Sequence, residues 1–179
     1  IDILIYQMIE KSTNQKVLEI FFDNPSREFY LRELSRLLKL SMPTIISATD
    51  TLSREKLVTK VKGKALTKVM ADRNNPDFAR HKRVNNLEKI YASGIVDWLS
   101  QEYNHPKAII LFGSFSRGDD TEKSDIDIAV ITSKKLMADA EKYAKFLKKE
   151  VSIHEVNLSH VSEEFKSGLA NGIVLEGSL

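Results

Sequence analysis

The 179-residue sequence contains no cysteine, which excludes disulfide bonds and thiolate metal sites. It contains no apolar run of about 18 residues, which a membrane-spanning helix would need. No internal repeat and no low-complexity tract is present. The first residues lack the charged-then-apolar order of a secretory signal. We therefore expect a cytoplasmic protein with no membrane partner.

The composition, 42% hydrophobic and 29% charged, is typical of a globular protein. The net charge of +2 hides an asymmetry between the two halves of the chain. Residues 1–92 carry 17 Lys and Arg against 11 Asp and Glu, whereas residues 93–179 carry 10 against 14. This split predicts two modules, of which the first tolerates polyanions.

The apolar spacing of the first module predicts three helices. A buried helix covers residues 14–22, and four leucines within residues 31–38 have the spacing of an amphipathic helix. Ser41 is placed to cap a third helix over residues 44–57, with Pro43 tolerated in its first turn. The alternation in "LVTKVKGKALTKVM" then predicts a short β-hairpin.

The stretch "LRELSRLLKLSMPTIISATDTLSREKLVTKVKGK" resembles the winged helix-turn-helix of bacterial and archaeal transcription regulators, over about residues 12–75. In that family the second helix of the pair enters the major groove of DNA and the hairpin touches the backbone. The basic hairpin suits phosphate contacts. The resemblance implies DNA contacts from seven residues: Ser41, Pro43, Thr44, Ser47, Arg54, Lys62 and Lys64.

Two features of the same module favour another role. Asp50 lies in the helix that would enter the groove, where it would repel phosphate, and residues 41–53 contain no Arg, Asn or Gln for bidentate base contacts. The alternative is a winged-helix scaffold that forms a homodimer or holds the second module. Both interpretations remain open from sequence.

The second module alternates strands and helices. The pattern predicts strands at 107–112, 126–132 and 150–157, a Lys-rich helix over about 136–149 and a last helix in "SEEFKSGLANG". A long helical stretch, broken near Ser93-Gly94, precedes them. We place the domain boundary within that stretch, which gives domains of 1–92 and 93–179.

The segment "AIILFGSFSRGDDTEKSDIDIAV" carries the chemistry. Asp125 and Asp127 would project from one face of a strand, where two carboxylates are suitable ligands for Mg²⁺. Gly113 permits a tight turn after the preceding strand and a close approach of phosphate to the backbone. Ser114 would add a hydroxyl donor and Arg117 a positive charge. These features suit phosphoryl or nucleotidyl transfer with two metal ions.

This segment resembles the signature of the nucleotidyltransferase superfamily that includes DNA polymerase β, and most of all its minimal branch. The pattern is an apolar strand, Gly-Ser, Arg-Gly and then Ser-Asp-x-Asp, in which Ser124 fills the serine position. The resemblance implies that Asp125 and Asp127 bind Mg²⁺ and are catalytic. It also implies that Gly113, Ser114, Arg117 and Ser124 bind a nucleoside triphosphate, which we take to be ATP.

The same family has a third carboxylate on a later strand, which acts as a base or a metal ligand. "VSIHEVNLSHVSEEF" offers Glu155 for this catalytic role, on the strand face of Val151 and Ile153. The alternative is that Glu155 is an ordinary exposed strand residue. We expect His154 to point to the other face as a partly buried residue.

The predicted fold is α+β, an amino-terminal winged helix-turn-helix followed by a small mixed β-sheet nucleotidyltransferase domain flanked by helices. The predicted function is Mg²⁺-dependent transfer of a nucleoside monophosphate from a triphosphate to a protein or nucleic-acid acceptor, targeted by DNA binding. The minimal branch also implies antitoxin roles. The alternative is a DNA-binding transcriptional regulator whose second domain senses a nucleotide or has lost catalysis.

Overall fold

The computed structural model describes residues 10–63 and 66–178. Its contacts divide the chain into an amino-terminal unit, Met8–Lys82, and a carboxyl-terminal unit that begins at Arg83. The division lies inside one long helix, Pro76–Ser93, earlier than the boundary near residue 92 that the sequence suggested. The domain bounds of 1–92 and 93–179 stay a prediction.

The amino-terminal unit combines three helices with a three-stranded antiparallel sheet. Its elements are α1 (Thr13–Asp23), β1 (Phe29–Tyr30), α2 (Leu31–Leu38), α3 (Met42–Arg54), β2 (Val58–Lys62) and β3 (Thr67–Ala71), with the strand order β1-β3-β2. The three predicted helices and the predicted hairpin are confirmed. Ser41 caps α3, since its Oγ accepts a hydrogen bond from the Thr44 N–H at 3.3 Å, and Pro43 lies in the first turn.

The core of this unit forms where the apolar stripes of the three helices meet the sheet. Its fully buried side chains include Val17, Phe21, Leu34, Ile45, Leu52 and Val69. The rings of Phe21 and Phe29 meet edge to face, with their centroids 5.6 Å apart. Burying such a set of large apolar side chains is the main driving force for folding a unit of this size.

The carboxyl-terminal unit is built around a four-stranded sheet. Its elements are α4 (Pro76–Ser93, which begins in the other unit), α5 (Ile95–Glu102), β4 (Ala108–Phe112), α6 (Gly113–Arg117), β5 (Ile126–Ile131), α7 (Glu141–Leu147), β6 (Val151–Val156), α8 (Glu163–Ala170) and β7 (Ile173–Gly177). The strand order is β6-β5-β4-β7, and only the β5–β6 pair is parallel. The predicted break between α4 and α5 is confirmed at Gly94, whose φ is 74°.

The two faces of this sheet bury different side chains, because successive residues of a strand point to opposite sides. On one face, Ile109, Leu111, Ile126, Ile128 and Val130 join residues of α5 in one core. The other face carries Ile110, Ala129 and Val156 against Leu169 of α8. We call the first the α5 face and the second the α8 face.

Two features of the carboxyl-terminal unit differ from the sequence prediction. The helix expected over about 136–149 is confined to Glu141–Leu147, and Lys148 ends it with a φ of 55°. The strand β7 was not predicted. It pairs with the free side of β4 and completes the sheet.

Within the described residues, eight helices and two small sheets give the α+β class that the sequence predicted. None of the helices in residues 10–63 and 66–178 combines the length and the hydropathy that crossing a bilayer requires.

Candidate functional site

The centre of the site is the turn between β4 and α6. Gly113 has a φ of +73°, a conformation that side chains disfavour. A Cβ atom at this position would lie 2.5 Å from Oδ2 of Asp127, so any other residue here would displace that carboxylate. Ser116 Oγ donates to the Gly113 carbonyl oxygen at 2.8 Å and fixes the turn from inside. The sequence predicted a close approach of phosphate to this backbone, which stays a prediction, and in the structure the Asp127 carboxylate lies beside the turn.

The two aspartates lie at the beginning of β5. Asp127 pairs with Phe112 across the antiparallel ladder, which puts its carboxylate on the α8 face next to Gly113. Ile126 is fully buried on the α5 face. Asp125 directly precedes the strand and is exposed, while the Asp127 side chain retains 31% of its accessible surface. Both carboxylates are therefore accessible to a ligand.

His154 joins this site, although the sequence did not assign it a role there. It lies on β6 beside Ala129 of β5, on the α8 face, and its Nε2 is 3.2 Å from Oδ1 of Asp127. Its ring also meets Phe112 edge to face at 5.2 Å and approaches Phe165 of α8 at 6.4 Å. One carboxylate oxygen of Asp127 is thus held by an imidazole and the other lies against Gly113.

The structure does not bring Glu155 to the aspartates, which corrects the predicted third catalytic carboxylate. Glu155 lies beside Val130 in the parallel β5–β6 ladder, and both belong to the α5 face. Its Oε1 accepts three hydrogen bonds: from the Tyr103 hydroxyl at 2.7 Å, from the Leu136 N–H at 2.6 Å and from the Met137 N–H at 2.8 Å. The side chain therefore anchors a loop on the side of the sheet opposite Asp127.

These contacts explain the ionisation of the Glu155 and Tyr103 side chains. Burial alone would raise the pKa of Glu155, but the hydrogen bonds from Tyr103, Leu136 and Met137 outweigh it, and the pKa lies below its ordinary value. Burial, and then the bond to Glu155, raise the pKa of the Tyr103 hydroxyl. The pair is thus a neutral phenol bound to an ionised carboxylate.

The other three residues predicted to bind the nucleotide differ in the contacts that they make in the structure. Ser114 is half-buried, and its carbonyl oxygen accepts from the Gly118 N–H at 3.0 Å. Arg117 is exposed and its Nε lies 3.0 Å from Oδ2 of Asp119. Ser124 Oγ accepts a hydrogen bond from the Thr121 N–H at 2.9 Å, so its visible role is to shape the loop.

The loop before β5 is held by polar residues that the sequence did not single out. Lys149 Nζ donates to the carbonyl oxygens of Thr121 and Ser124, at 2.5 and 3.1 Å, and lies 3.5 Å from Oδ2 of Asp120. Asn86 of α4 donates to Oδ1 of Asp120 at 2.8 Å. Lys149 lies at the end of the Lys-rich segment, yet its side chain is only 13% exposed. These contacts fix the position from which Asp125 and Asp127 project.

In the amino-terminal unit, the residues predicted to contact DNA lie around α3. Pro43 and Ser47 are exposed on the helix, whereas the hydroxyls of Ser41 and Thr44 bond each other at 2.7 Å as part of the cap. Arg54 is exposed and donates to Thr51 Oγ1 at 3.0 Å. Lys62 is exposed at the end of β2, and Lys64 lies outside the described residues.

Asp50, whose negative charge on α3 would repel phosphate, is paired with a lysine of the hairpin. Lys60 Nζ of β2 lies 2.6 Å from Asp50 Oδ1 and 3.1 Å from Thr49 Oγ1. The hydrogen bond from Lys60, followed by its charge, lowers the pKa of Asp50. Asp50 therefore stays ionised, with a cation beside it, instead of presenting an isolated negative charge on the helix.

The residues at the glycine turn suit magnesium as the metal. Mg²⁺ is commonly held by one or two carboxylates together with substrate phosphates, and Asp125 and Asp127 supply that number of oxygen-bearing side chains. No group of three or more histidine or acidic side chains suited to a metal occurs among the residues that the structure describes. Gly113 leaves the space beside Asp127 free of a side chain. A metal here would thus complete its coordination with ligand oxygens and water.

Comparison with known families matches one part of the chain. Residues 95–179 match a family model described as "Polymerase beta, Nucleotidyltransferase", a range that begins at α5 and includes the whole four-stranded sheet. This part of the chain is similar to that family, which supports the predicted nucleotidyltransferase domain and suggests nucleotidyl transfer at the level of the superfamily. The match does not extend to the amino-terminal unit. The comparisons with curated proteins and with solved structures returned no match.

Proposed function

We propose that the carboxyl-terminal unit binds a nucleoside triphosphate with Mg²⁺ at Gly113, Asp125 and Asp127, and transfers the nucleoside monophosphate to an acceptor hydroxyl. The observation that carries the proposal is the contact of Asp127 with the turn at Gly113. It brings the Gly-Ser part of the signature next to its Asp-x-Asp part. In the reaction, the acceptor oxygen forms a bond to the α-phosphorus. The bond from that phosphorus to the pyrophosphate oxygen breaks, pyrophosphate leaves, and the hydroxyl proton passes to water.

Each polar side chain near the turn would have a separate role in the reaction. Asp125 and Asp127 would hold the metal, which when bound supplies positive charge to the phosphate oxygens. His154 would keep the Asp127 carboxylate in one orientation through its contact with Oδ1. Arg117, next to the turn, would exchange its exposed partner Asp119 for a phosphate. Glu155 has no part in this chemistry, because it lies on the α5 face.

The experiment uses the full chain with ATP labelled at either the α- or the γ-phosphate, Mg²⁺ and a cell extract as the source of acceptor. We expect the α-label and not the γ-label to be transferred, and we expect EDTA to abolish transfer. Asp125→Asn should reduce the rate more than about 100-fold, since it removes a charged ligand of the metal that stabilises the reacting phosphate. Asp97→Asn is the matched control, because Asp97 is an exposed residue of α5 and its replacement makes the same change of charge. Transfer of the γ-label, or an Asp125→Asn variant as active as the control, would contradict the proposal.

A second function is favoured by the position of Glu155. Because this residue faces away from Asp127, the described residues give the site two carboxylates and no third. Such a site suits a regulator that binds a nucleotide without turning it over. Calorimetry separates the two functions: binding of ATP with Mg²⁺ in the absence of any α-label transfer would favour the regulator, and binding with transfer would favour the enzyme.

We also propose that the amino-terminal unit binds duplex DNA as a winged helix-turn-helix, with α3 in the major groove and the β2–β3 hairpin as the wing. The charges of the unit support this role. Arg36 and Lys39 are exposed and have no carboxylate partner among the residues the structure describes, and Lys62 is exposed, while Asp50 is paired with Lys60. Unpaired cations beside α3 suit the release of counterions from phosphate.

Fluorescence anisotropy of the full chain on a labelled duplex, at several salt concentrations, tests the DNA-binding proposal. Lys62→Glu should weaken binding and lower the dependence on salt, since one phosphate contact is lost. Lys16→Glu makes the same charge change on α1 and is the control. Equal losses in the two variants would indicate nonspecific attraction. No binding by the wild type, together with a dimer in light scattering, would favour the homodimer scaffold, for which Leu37 and Ile46 are exposed apolar side chains.

A further inference from the structure

A cavity lies directly beside the candidate site, on the α8 face of the sheet. Its volume is 430 Å³, and it is lined by His154, Glu155, Val156, Val161, Ser162 and Phe165. His154 belongs both to this lining and to the site, since its Nε2 contacts Asp127. The cavity and the glycine turn are therefore neighbours on the same side of the sheet.

The lining of the cavity selects against phosphate and in favour of an uncharged ring. The six described residues of the lining include no lysine or arginine, and the carboxylate of Glu155 lies on the opposite face of the sheet, where Tyr103 and the loop bind it. Val156, Val161 and Phe165 supply apolar surface. Cavities with mostly apolar walls and a few polar groups are typical of sites for flat organic ligands.

Phe165 is held in place before any ligand arrives. Its ring meets Phe112 edge to face, with centroids 5.7 Å apart and an interplanar angle of 73°. Phe112 in turn contacts the ring of His154 in the same manner. The ring of Phe165 remains half-buried, so part of it stays available. An aromatic ring fixed in this way costs little conformational entropy when a second ring stacks on it.

We propose that this cavity is the subsite for the nucleobase, with Phe165 as its stacking surface. The inference rests on the proposed nucleotide site. It gives a binding place to the base, which Gly113, Asp125 and Asp127 do not contact. The phosphates of the same molecule would lie at the glycine turn, and the base would enter the cavity past His154. Stacking of a base on an aromatic side chain tolerates any base, because each one has a π-face.

The same geometry predicts weak discrimination between bases. Ser162 is the hydroxyl of the cavity wall, and its Oγ already accepts from the Phe165 N–H at 3.2 Å to cap α8. One hydroxyl donor cannot separate adenine from guanine strongly, since both rings offer acceptors. ATP and GTP are therefore expected to bind within about fivefold of each other, as stacking is the dominant contact.

The experiment compares ATP with inorganic tripolyphosphate, both with Mg²⁺, by calorimetry on the full chain. Tripolyphosphate has the phosphates and lacks the nucleoside, so the ratio of the two affinities reports the nucleoside, and the change of that ratio in Phe165 variants reports the base subsite. In the wild type ATP should bind at least about 10-fold more tightly. Phe165→Ala should reduce the ratio to about one and leave the affinity for tripolyphosphate unchanged. Phe165→Trp should keep the ratio, and it provides the stacking test if the alanine variant does not fold.

Phe146→Ala is the matched control, because Phe146 is an exposed phenylalanine of α7 in the same unit, and it should leave the ratio unchanged. If the wild type binds neither ligand, the proposed nucleotide site fails and the subsite fails with it. If both ligands bind with equal affinity, or if a folded Phe165→Ala variant keeps the wild-type ratio, the base subsite is overturned while the phosphate site stands.

Discussion

The two faces of the four-stranded sheet differ in what their polar groups do. On the α8 face, Asp127 and His154 contact each other and remain partly exposed, next to a cavity. On the α5 face, Oε1 of Glu155 accepts hydrogen bonds from a buried tyrosine and from a loop. His154 and Glu155 are adjacent in sequence, so one peptide unit separates a group available to a ligand from a group used for stability. The segment that the family pattern indicates thus carries its carboxylate on the face opposite Asp127, and the position of the segment alone does not bring a third carboxylate to the site.

The largest expected effect comes from filling the glycine turn. Gly113→Ala places a Cβ atom 2.5 Å from Asp127 Oδ2 in a backbone with a φ of +73°, so the carboxylate must move. A displacement of this size at the reacting groups lowers the rate of transfer by about 100-fold. Gly168→Ala in α8 is the control, because no atom lies within 4 Å of a Cβ there. It should raise helix stability by about 0.5–1 kcal/mol. Equal rates in the two variants would contradict a site at the turn.

The second effect tests the structural role of the α5 face. Glu155→Ala removes the acceptor of Tyr103, Leu136 and Met137, and it should lower the free energy of unfolding by about 2 kcal/mol. Urea unfolding measures this loss. The affinity for ATP should stay within about twofold of the wild-type value, since a residue on the far face makes no contact with the ligand. A Glu155→Ala variant that is stable but no longer binds ATP would show that Glu155 takes part in ATP binding.

The ionisation of Glu155 adds a dependence on pH. Because its pKa in the folded protein lies below the ordinary value of 4.5, ionised Glu155 stabilises the native state above that pH. This contribution is lost as the pH falls through the folded-state pKa. The difference in unfolding free energy between wild type and Glu155→Gln should therefore be constant near neutral pH and shrink below about pH 4.5. A difference that grows on acidification would show the opposite sign of shift.

The third effect tests the α8 face. His154→Ala frees Oδ1 of Asp127 and should weaken Mg²⁺-dependent ATP binding by about 10-fold, the usual loss when a group that orients a metal ligand is removed. Thermal unfolding should change less than it does for Glu155→Ala, because the His154 side chain is 39% exposed. Calorimetry and thermal unfolding of the same two variants together test whether the faces divide function from stability.

The smallest effect concerns the amino-terminal unit. Asp50→Asn removes a negative charge from the exposed side of α3, while Lys60 keeps its hydrogen bond to Thr49 Oγ1. DNA affinity should then rise by less than about fivefold, as expected for an exposed ion pair. Anisotropy at low salt measures the change. A loss of affinity would mean that the Asp50–Lys60 pair itself positions the helix.

Features that are determined by residues close together in the sequence could be predicted. Features that depend on contacts between residues far apart in the sequence could not. Gly113 and Asp127 belong to one continuous signature, and Ser41 caps its own helix, so both follow from neighbouring residues. The burial of Lys149 depends on Asp120 and on the loop it faces, which lie far away in the sequence. Hydropathy alone could not reveal that contact.

The error about Glu155 has the same origin. Strand periodicity correctly placed it with Val151 and Ile153, but only the pairing of β5 with β6 shows that this set lies opposite Asp127. The shortened helix α7 follows from this placement. The N–H groups of Leu136 and Met137 are bound by the Glu155 carboxylate, and residues 133–140 form a loop that precedes the helix.

The parallel ladder between β5 and β6 has a consequence for how such a site could change over evolutionary time. Its register pairs Ala129 with His154 and Val130 with Glu155. Deleting one residue from the loop before β6 would advance the strand by one position, if the ladder re-formed in place, and would exchange the two side chains between the faces. A third carboxylate would then stand next to Asp127, and the loop would lose its anchor. A single deletion thus connects a site with two carboxylates to a site with three, at the expense of the stability that Glu155, Ile153 and Val156 supply, since all three would change faces.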